Sequence, residues 1–500
     1  MKEGYGIVAV VLGLVLALAG SQVGATGPAG NLDLAPHPAG QSILHDTASF
    51  LVREGVSGFI RVVDEGDNPV AGATVYADGQ PIGVTDQDGL LDPGSLEIGT
   101  ALVALAQQAE RPASRDAHDG WVYRTFLSSL TLDTEGDPQP FIVSGPGEQR
   151  LIIRRNSPLI LFNLLVSVEW DAAVTYTEEI SRAIQSASDY LYDITDAQMT
   201  FGQVAIYDGA EHWDDADIRI SVRNIVRPHA HVGGINSADP AHAIKLGRAW
   251  DGNSGNQGPW DQQDGYRTLI HQFGHYALYL YDEYFAYTFD PNGNLTGEVP
   301  AYCTGPENRN PATDATNASV MDYQYTTSEL SARDVPGLWS TLCEETVQWQ
   351  MNGESAWETI ARIYSDTVSP PRWQFTTPIE RGSVLTGPTS LPPDILALPQ
   401  VEVHQTDPSP PVRQLTVYGP NGEAYGGANV SLHEQDGQII EQGFTNYDGQ
   451  LDIYGAAEGD TLQAISLDGG LRGSVTVGTG TSLTLILEPQ YKIYLPVTVK

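Results

Sequence analysis

The chain has 500 residues, with 63 acidic against 25 basic side chains and a formal charge of −38. A surface of that sign repels nucleic acid and anionic membranes, which removes both as partners. The length is enough for about two to four domains, each with a core of its own.

Residues 6–20, GIVAVVLGLVLALAG, form an apolar run preceded by Lys2 and followed by Val23-Gly24-Ala25. This pattern predicts a secretory signal peptide over 1–25, cleaved after Ala25. An uncleaved anchor is the other reading, because Glu3 weakens the positive charge ahead of the run. No later run approaches the ~20 apolar residues that span a bilayer. The mature chain is therefore expected outside the cytoplasm, secreted or at the cell surface, with no membrane span. Residues 26–49, rich in Gly, Pro and small polar types, read as a tether.

Residues 50–155 carry short β-rich runs separated by Gly, Pro and Asp turns. The pattern recurs at 412–490. Gly72-Ala73-Thr74-Val75 matches Gly427-Ala428-Asn429-Val430, and Thr85-Asp86-Gln87-Asp88-Gly89 matches Thr445-Asn446-Tyr447-Asp448-Gly449. GTALVAL from Gly99 likewise matches GDTLQAI from Gly459. The chain thus holds two copies of one small all-β module. Both copies resemble the carboxypeptidase-regulatory or transthyretin-like β-sandwiches of secreted proteins. Turn chemistry explains the Asp and Gly at the turns, calcium binding being the alternative.

Between the copies, residues 156–367 read as an α+β domain. LILFNLLVSVEW (159–170) is a near-continuous apolar run, suited to a strand covered on both faces. TYTEEISRAIQSASDYLYDITD then places Tyr176, Ile180, Ala183, Ala187, Tyr190 and Ile194 at helical spacing, with Thr175 and Glu178 as a capping box. MTFGQVAIYD, DIRISVR and AIKLGRAW predict three strands. His229 and His231 alternate, which on a strand puts both on one face. No third ligand stands at clear spacing, so a solvated strand edge is the simpler reading.

The chemistry lies in YRTLIHQFGHYALYLYDEY, residues 266–284. His271 and His275 stand four apart in a helical pattern that Asp261 or Asp264 can cap. One helix face then carries both imidazoles, one turn apart. Two imidazoles so placed can share a metal ion, most often zinc, and Asp282-Glu283 offer a carboxylate as third ligand. On a continuing helix, at about 1.5 Å per residue, Asp282 would lie about 10 Å beyond His275. The chain has to turn first, yet no Gly or Pro stands between the two. An unbroken amphipathic helix with two incidental histidines is the competing reading. The frame is His-Glu-x-x-His with Gln272 in the glutamate position. That glutamate takes a proton from metal-polarised water. A neutral amide cannot, and losing a positioned base costs about 10²–10⁴ in rate.

HQFGHYALYLYDEY resembles the metallohydrolase motif of the calcium-activated chloride channel regulator family and its bacterial relatives, His-Glu-x-x-His-x-x-x-Gly-x-x-Asp-Glu. The resemblance spans residues 157–365. It implies a zincin-type fold and zinc as cofactor, with His271, His275 and Asp282 as ligands and Glu283 as the final acid. The chain departs at Gln272 and at Tyr279, which stands where the motif has Gly. TNASVMDYQY (316–325) resembles the Met-containing turn beneath the metal in related peptidases, with Met321 as its methionine. A packed core methionine is the alternative.

Cys303 and Cys343 are the only cysteines. Outside the cytoplasm such a pair predicts one disulfide, two buried thiols being the other reading. Residues 368–411 are crowded with proline and read as a semi-rigid linker, and 491–500 as a last strand and tail. The expected whole is multidomain: an α+β zincin-like metallopeptidase domain flanked by two small all-β sandwich modules. The expected function is a secreted or surface-attached zinc-binding protein of metallopeptidase type. It would be a weak or inactive peptidase that acts by binding an extracellular protein or peptide, or a glycan. Two alternatives stand: an active endopeptidase with Glu283 as base, and a metal-free adhesin.

Overall fold

The computed structural model describes residues 55–490 apart from 109–122, 134–137, 225, 238, 251–257, 304–318, 324, 326, 328, 334, 336–337, 376–393 and 407–408. The expected signal peptide, tether and tail lie outside the described residues. Those described are strand-rich and arranged in several sheets. Among them no helix is long and apolar enough to cross a membrane.

The spine is strand β1 (Pro158–Val168), with nine of its eleven residues buried. That burial follows from its continuous apolar run, since a strand covered on both faces has no side to give to water. Helix α1 (Val174–Ile194) leaves it and returns the chain to β2 (Met199–Tyr207), which pairs parallel with β1 from Ile160↔Met199 to Ser167↔Tyr207. Strand β3 (Ile218–Ser221) lies parallel along the other edge of β1, and β4 (Ile244–Gly247) lies outside it. Helix α2 (Gln263–Tyr276) packs on this sheet. Its Phe273 ring meets Phe162 of β1 at 5.0 Å and Phe201 of β2 at 5.1 Å, both edge-on. An antiparallel hairpin follows, β5 (Phe285–Phe289) and β6 (Leu295–Pro300). Strand β7 (Gln400–His404), inside the proline-rich span, lies parallel along the outer edge of β2. Prolines on either side do not prevent this, because an edge strand can dispense with one row of donors.

Two capping expectations fail. Helix α1 begins at Val174 with Ala173 as an N-cap that makes no side-chain bond, so Thr175 lies inside the helix. The reason is tertiary: Asp208 accepts the Ala172 N–H at 3.1 Å and Gln405 donates to the Ala172 carbonyl, fixing where the chain enters. Helix α2 is likewise capped by Gln262 without a side-chain bond. Asp261 is drawn away into an ion pair with Arg182 at 2.8 Å, while Asp264 sits in the first turn.

The repeat seen in the sequence is a repeat of structure. In the first copy, strand Gly58–Asp64 pairs parallel with Gly147–Ile153 and antiparallel with Leu90–Leu91. In the second, Arg413–Tyr418 pairs parallel with Ser482–Ile486 and antiparallel with Gln450–Ile453. The turns agree atom for atom. Asp86 Oδ1 accepts the N–H groups of Asp88 and Leu90, and Asn446 Oδ1 those of Asp448 and Gln450. Thr85 and Thr445 each donate back to a carbonyl, of Val70 and of Tyr425. Glycine is required at the next corner. A Cβ on Gly89 would stand 2.5 Å from the Val62 carbonyl oxygen, and one on Gly449 2.4 Å from that of Val417. Turn chemistry accounts for these residues. The first copy is also fused to the core, for its strand Tyr123–Ser128 pairs antiparallel with the first half of β1.

The second copy meets the core along an acidic seam. Its Tyr454 lies edge-on to Trp170 at 6.2 Å and under the Arg248 guanidinium at 4.0 Å. Burial, reinforced by Asp171, Asp436 and Asp460, pushes the Glu434 carboxyl up from 4.5 to about 7. An acid whose pKa is raised on folding binds its proton more tightly when folded. Its ionisation therefore removes stability as pH rises between 4.5 and about 7. Glu434→Gln is expected to raise the thermal midpoint at pH 8 and leave it unchanged at pH 4. Unfolding curves at the two pH values check this.

Candidate metal centre

The centre forms where α2 ends. His271 and His275 are both buried on one face of the helix, their rings 4.9 Å apart and perpendicular. Each ring commits its Nδ1 to a backbone carbonyl: His271 to Val320 at 2.9 Å, His275 to Leu280 at 2.7 Å. A nitrogen facing a carbonyl has to carry the hydrogen, so each Nε2 holds the lone pair when its ring is neutral and donates toward Asp282 when the ring is protonated.

The turn that brings up the third residue is made by Tyr279. Its φ is +61°, in the left-handed region that favours Gly. A bulky residue there costs roughly 1–2 kcal/mol, and three contacts offset it. The ring packs over Gly233, the hydroxyl accepts from Asn236, and the carbonyl accepts from Asn352 at 3.2 Å. The Leu280 N–H closes the turn onto the Gly274 carbonyl at 3.1 Å. Tyr279→Gly is expected to keep the centre intact, because Gly takes the same φ without strain. Tyr279→Val is expected to disrupt it, since a β-branched residue is a severe outlier at that φ. Metal titration of the two variants separates the cases.

Beyond the turn, Asp282 Oδ1 comes to 3.2 Å from His271 Nε2 and 3.3 Å from His275 Nε2. A tetrahedron with bonds of about 2.0–2.1 Å has edges of about 3.3–3.4 Å. Two of the three ligand-to-ligand edges therefore already have the length that a shared ion would set. Among the described residues this is the only set of three metal-binding side chains that converges. Burial presses the Asp282 carboxyl upward, but hydrogen bonds to both imidazoles overcome it and hold the group well below the usual carboxylate range. His275 moves the other way: burial favours its neutral form, yet the Asp282 contact raises its pKa overall.

The neighbours fall into place around these three. Met321 lies fully buried beneath α2, its Sδ 2.7 Å from where a Cβ on Gly274 would stand. It belongs to the short helix Val320–Tyr323, whose Val320 carbonyl holds His271. Gln272 is buried, one residue after the first imidazole. Glu283 is not part of the convergent set. It is 1% exposed, takes a hydrogen bond from Ser331 at 2.6 Å, and its N–H is held by the Met321 carbonyl. Burial raises its pKa to about 7 against the lowering effect of Ser319 and Ser331.

His229 and His231 stay outside the centre. His229 turns its Nδ1 to the Arg227 carbonyl, and His231 lies on His242 with 3.9 Å between rings.

Cys303 and Cys343 form the expected disulfide. The Cys303 N–H is bonded to the Glu283 carbonyl, so the bridge ties the strap after Asp282 to the segment leading into helix Val347–Asn352. Two helices follow the bridge, Val347–Asn352 and Ala356–Tyr364, parted by Gly353 at φ +67°. Closing a loop of 40 residues, the bridge is expected to contribute about 4 kcal/mol. The Cys303→Ser/Cys343→Ser pair should show that loss in denaturant melts.

Sequence reasoning missed the groups that hold the turn. Gln348 accepts the Tyr281 N–H at 2.8 Å, and Tyr364 donates to the Ala277 carbonyl at 2.7 Å. They come from 67 and 87 residues away, on helices whose docking no local pattern announces. Tyr284 was missed as well. Its ring lies over His271 at 6.3 Å and its hydroxyl bonds to Asp282. The only signal was its place directly after Asp282-Glu283.

No family model matches the chain, and no curated protein does. Among solved structures, it is similar to "The Bacillus anthracis TIE protein" at 9% identity and a TM-score of 0.13. That match covers 87% of this chain and 51% of the other, so this chain spans about half that structure's length. A likeness at that score carries no argument about fold or function.

Proposed function

We propose that residues 156–367 are a zincin-like metal-binding domain that has kept its ligands and lost its general base. The supporting observation is the convergence of His271, His275 and Asp282, with both Nδ1 atoms already committed to carbonyls. Two imidazoles and one carboxylate suit zinc, which takes N and O donors and in open sites keeps a fourth position free. A bound zinc ion supplies Lewis acidity and lowers the pKa of water at that fourth position.

The protein's own contribution stops short of catalysis. Gln272 presents an amide that can orient a water molecule but cannot take its proton or pass one to a leaving amine. The geometry does not favour Glu283 as a substitute, because that carboxyl is enclosed and bonded to Ser331. The function that fits is binding. The protein, secreted or held at the cell surface, uses this domain to engage an extracellular polypeptide, with the β-modules as rigid spacers. Two measurements on purified protein test this together: metal content, and digestion of a generic protein substrate. About one equivalent of zinc with no digestion supports it. Absence of metal at neutral pH overturns the metal centre, and brisk digestion overturns the loss of catalysis.

A further inference from the structure

The hairpin β5–β6 hangs directly from the ligand Asp282 and carries a run of aromatic rings away from the centre. The run passes from His271 to Tyr284 at 6.3 Å, to Phe285 at 5.3 Å, to Tyr287 at 5.5 Å and to Phe289 at 6.4 Å. Strand alternation puts Phe285, Tyr287 and Phe289 on one face. Their cross-strand partners there are Pro300, Glu298 and Leu295. The outer pair is open to solvent, Phe289 at 54% and Leu295 at 59% exposed. Scattered exposed apolar residues need no explanation, but a continuous strip that starts at a buried site does.

The two edges of the hairpin differ. The outer edge of β5 is closed at Tyr287, whose N–H and carbonyl are both taken by the Gln350 side chain. Among the described residues no strand pairs with the outer edge of β6. Charge then narrows the occupant. The hairpin, residues 285–300, carries Asp290 and Glu298 and neither Lys nor Arg. An acidic strip disfavours an anionic membrane, and it disfavours a second copy of the same hairpin.

We infer that this hairpin is a docking strip for an extended polypeptide segment, with apolar and basic side chains in alternation, that pairs with the edge of β6 and leads toward the metal centre. Main-chain pairing would supply affinity and the aromatic face would select the apolar side chains. The inference rests on the proposed reading of the domain as a polypeptide binder and names the class of partner.

The probe is a fluorescent acetyl-(Lys-Val)₅-amide peptide, with acetyl-(Glu-Val)₅-amide as control, followed by anisotropy on the full protein. The wild type is expected to bind the lysine peptide, and the Phe289→Ser/Leu295→Ser protein about tenfold more weakly with unchanged metal content. The glutamate peptide is expected not to bind. The inference is overturned if the wild type ignores the lysine peptide, or if the double variant binds it equally well. Equal binding of the glutamate peptide overturns it too, as does a wild-type dimer that the double variant converts to monomer, which would make a second copy the occupant. Repeating the titration after chelation separates this from the metal reading. Peptide binding by a protein that never held metal leaves the strip standing and removes the centre.

Discussion

Asp282→Asn and His271→Ala are each expected to weaken zinc binding by more than about 10²-fold, measured by competition with a chromophoric chelator. The bound rests on a comparison: losing a residue that only orients a ligand typically costs about 10–100-fold. Removing a ligand has to exceed that. Tyr284→Phe supplies the comparison within this protein, since its hydroxyl bonds to Asp282 without belonging to the convergent set. It is expected to fall in the lower range. The two substitutions also differ in what they leave behind. His271→Ala opens a space against the Val320 carbonyl and Tyr284, so stability should drop along with affinity. Asp282→Asn keeps the shape and removes the charge, so affinity should drop with little change in a metal-free melt. If all three variants bound zinc as the wild type does, the ion would be held elsewhere and the assignment would fail.

Gln272→Glu is expected to raise peptidase turnover by at least about 10²-fold over a wild-type rate near background. The argument is chemical and local. Zinc by itself brings a bound water to a pKa of about 7, so hydroxide is not the only difficulty. The missing step is delivery of a proton to the departing amine, which an amide side chain cannot perform. A carboxyl at the same buried position, next to the first imidazole, can both take the proton and return it. The measurement is digestion of a quenched fluorescent peptide pool by both proteins at equal zinc loading. A wild type as fast as the variant would show that another group acts as base. Two inert proteins with zinc bound would mean that the surroundings of the centre have been given over to binding.

The sequence by itself determined the two histidines of the candidate metal group and the repeat. Helical spacing alone puts His271 and His275 on one face, because four residues come close to one full turn. The two β-modules could be matched residue by residue because their shared Thr, Asp or Asn, and Gly positions are set by local turn chemistry, and the same hydrogen bonds recur in both copies. The continuous apolar run of β1 announced a strand covered on both faces, and two cysteines left one pairing.

What only the tertiary structure decided was how Asp282 reaches the histidines. Tyr279 carries no preference for a left-handed turn. It adopts one because Gly233, Asn236 and Asn352 receive its ring, hydroxyl and carbonyl, and these lie far from it in sequence. The same holds for the helix starts, where Asp208 and Arg182 outweighed local capping residues. It holds too for β7, a strand only because β2 offered it an open edge. Local rules weigh a few tenths to about 1 kcal/mol per residue. Several long-range hydrogen bonds acting on one residue exceed that, and their partners cannot be read from the neighbouring sequence.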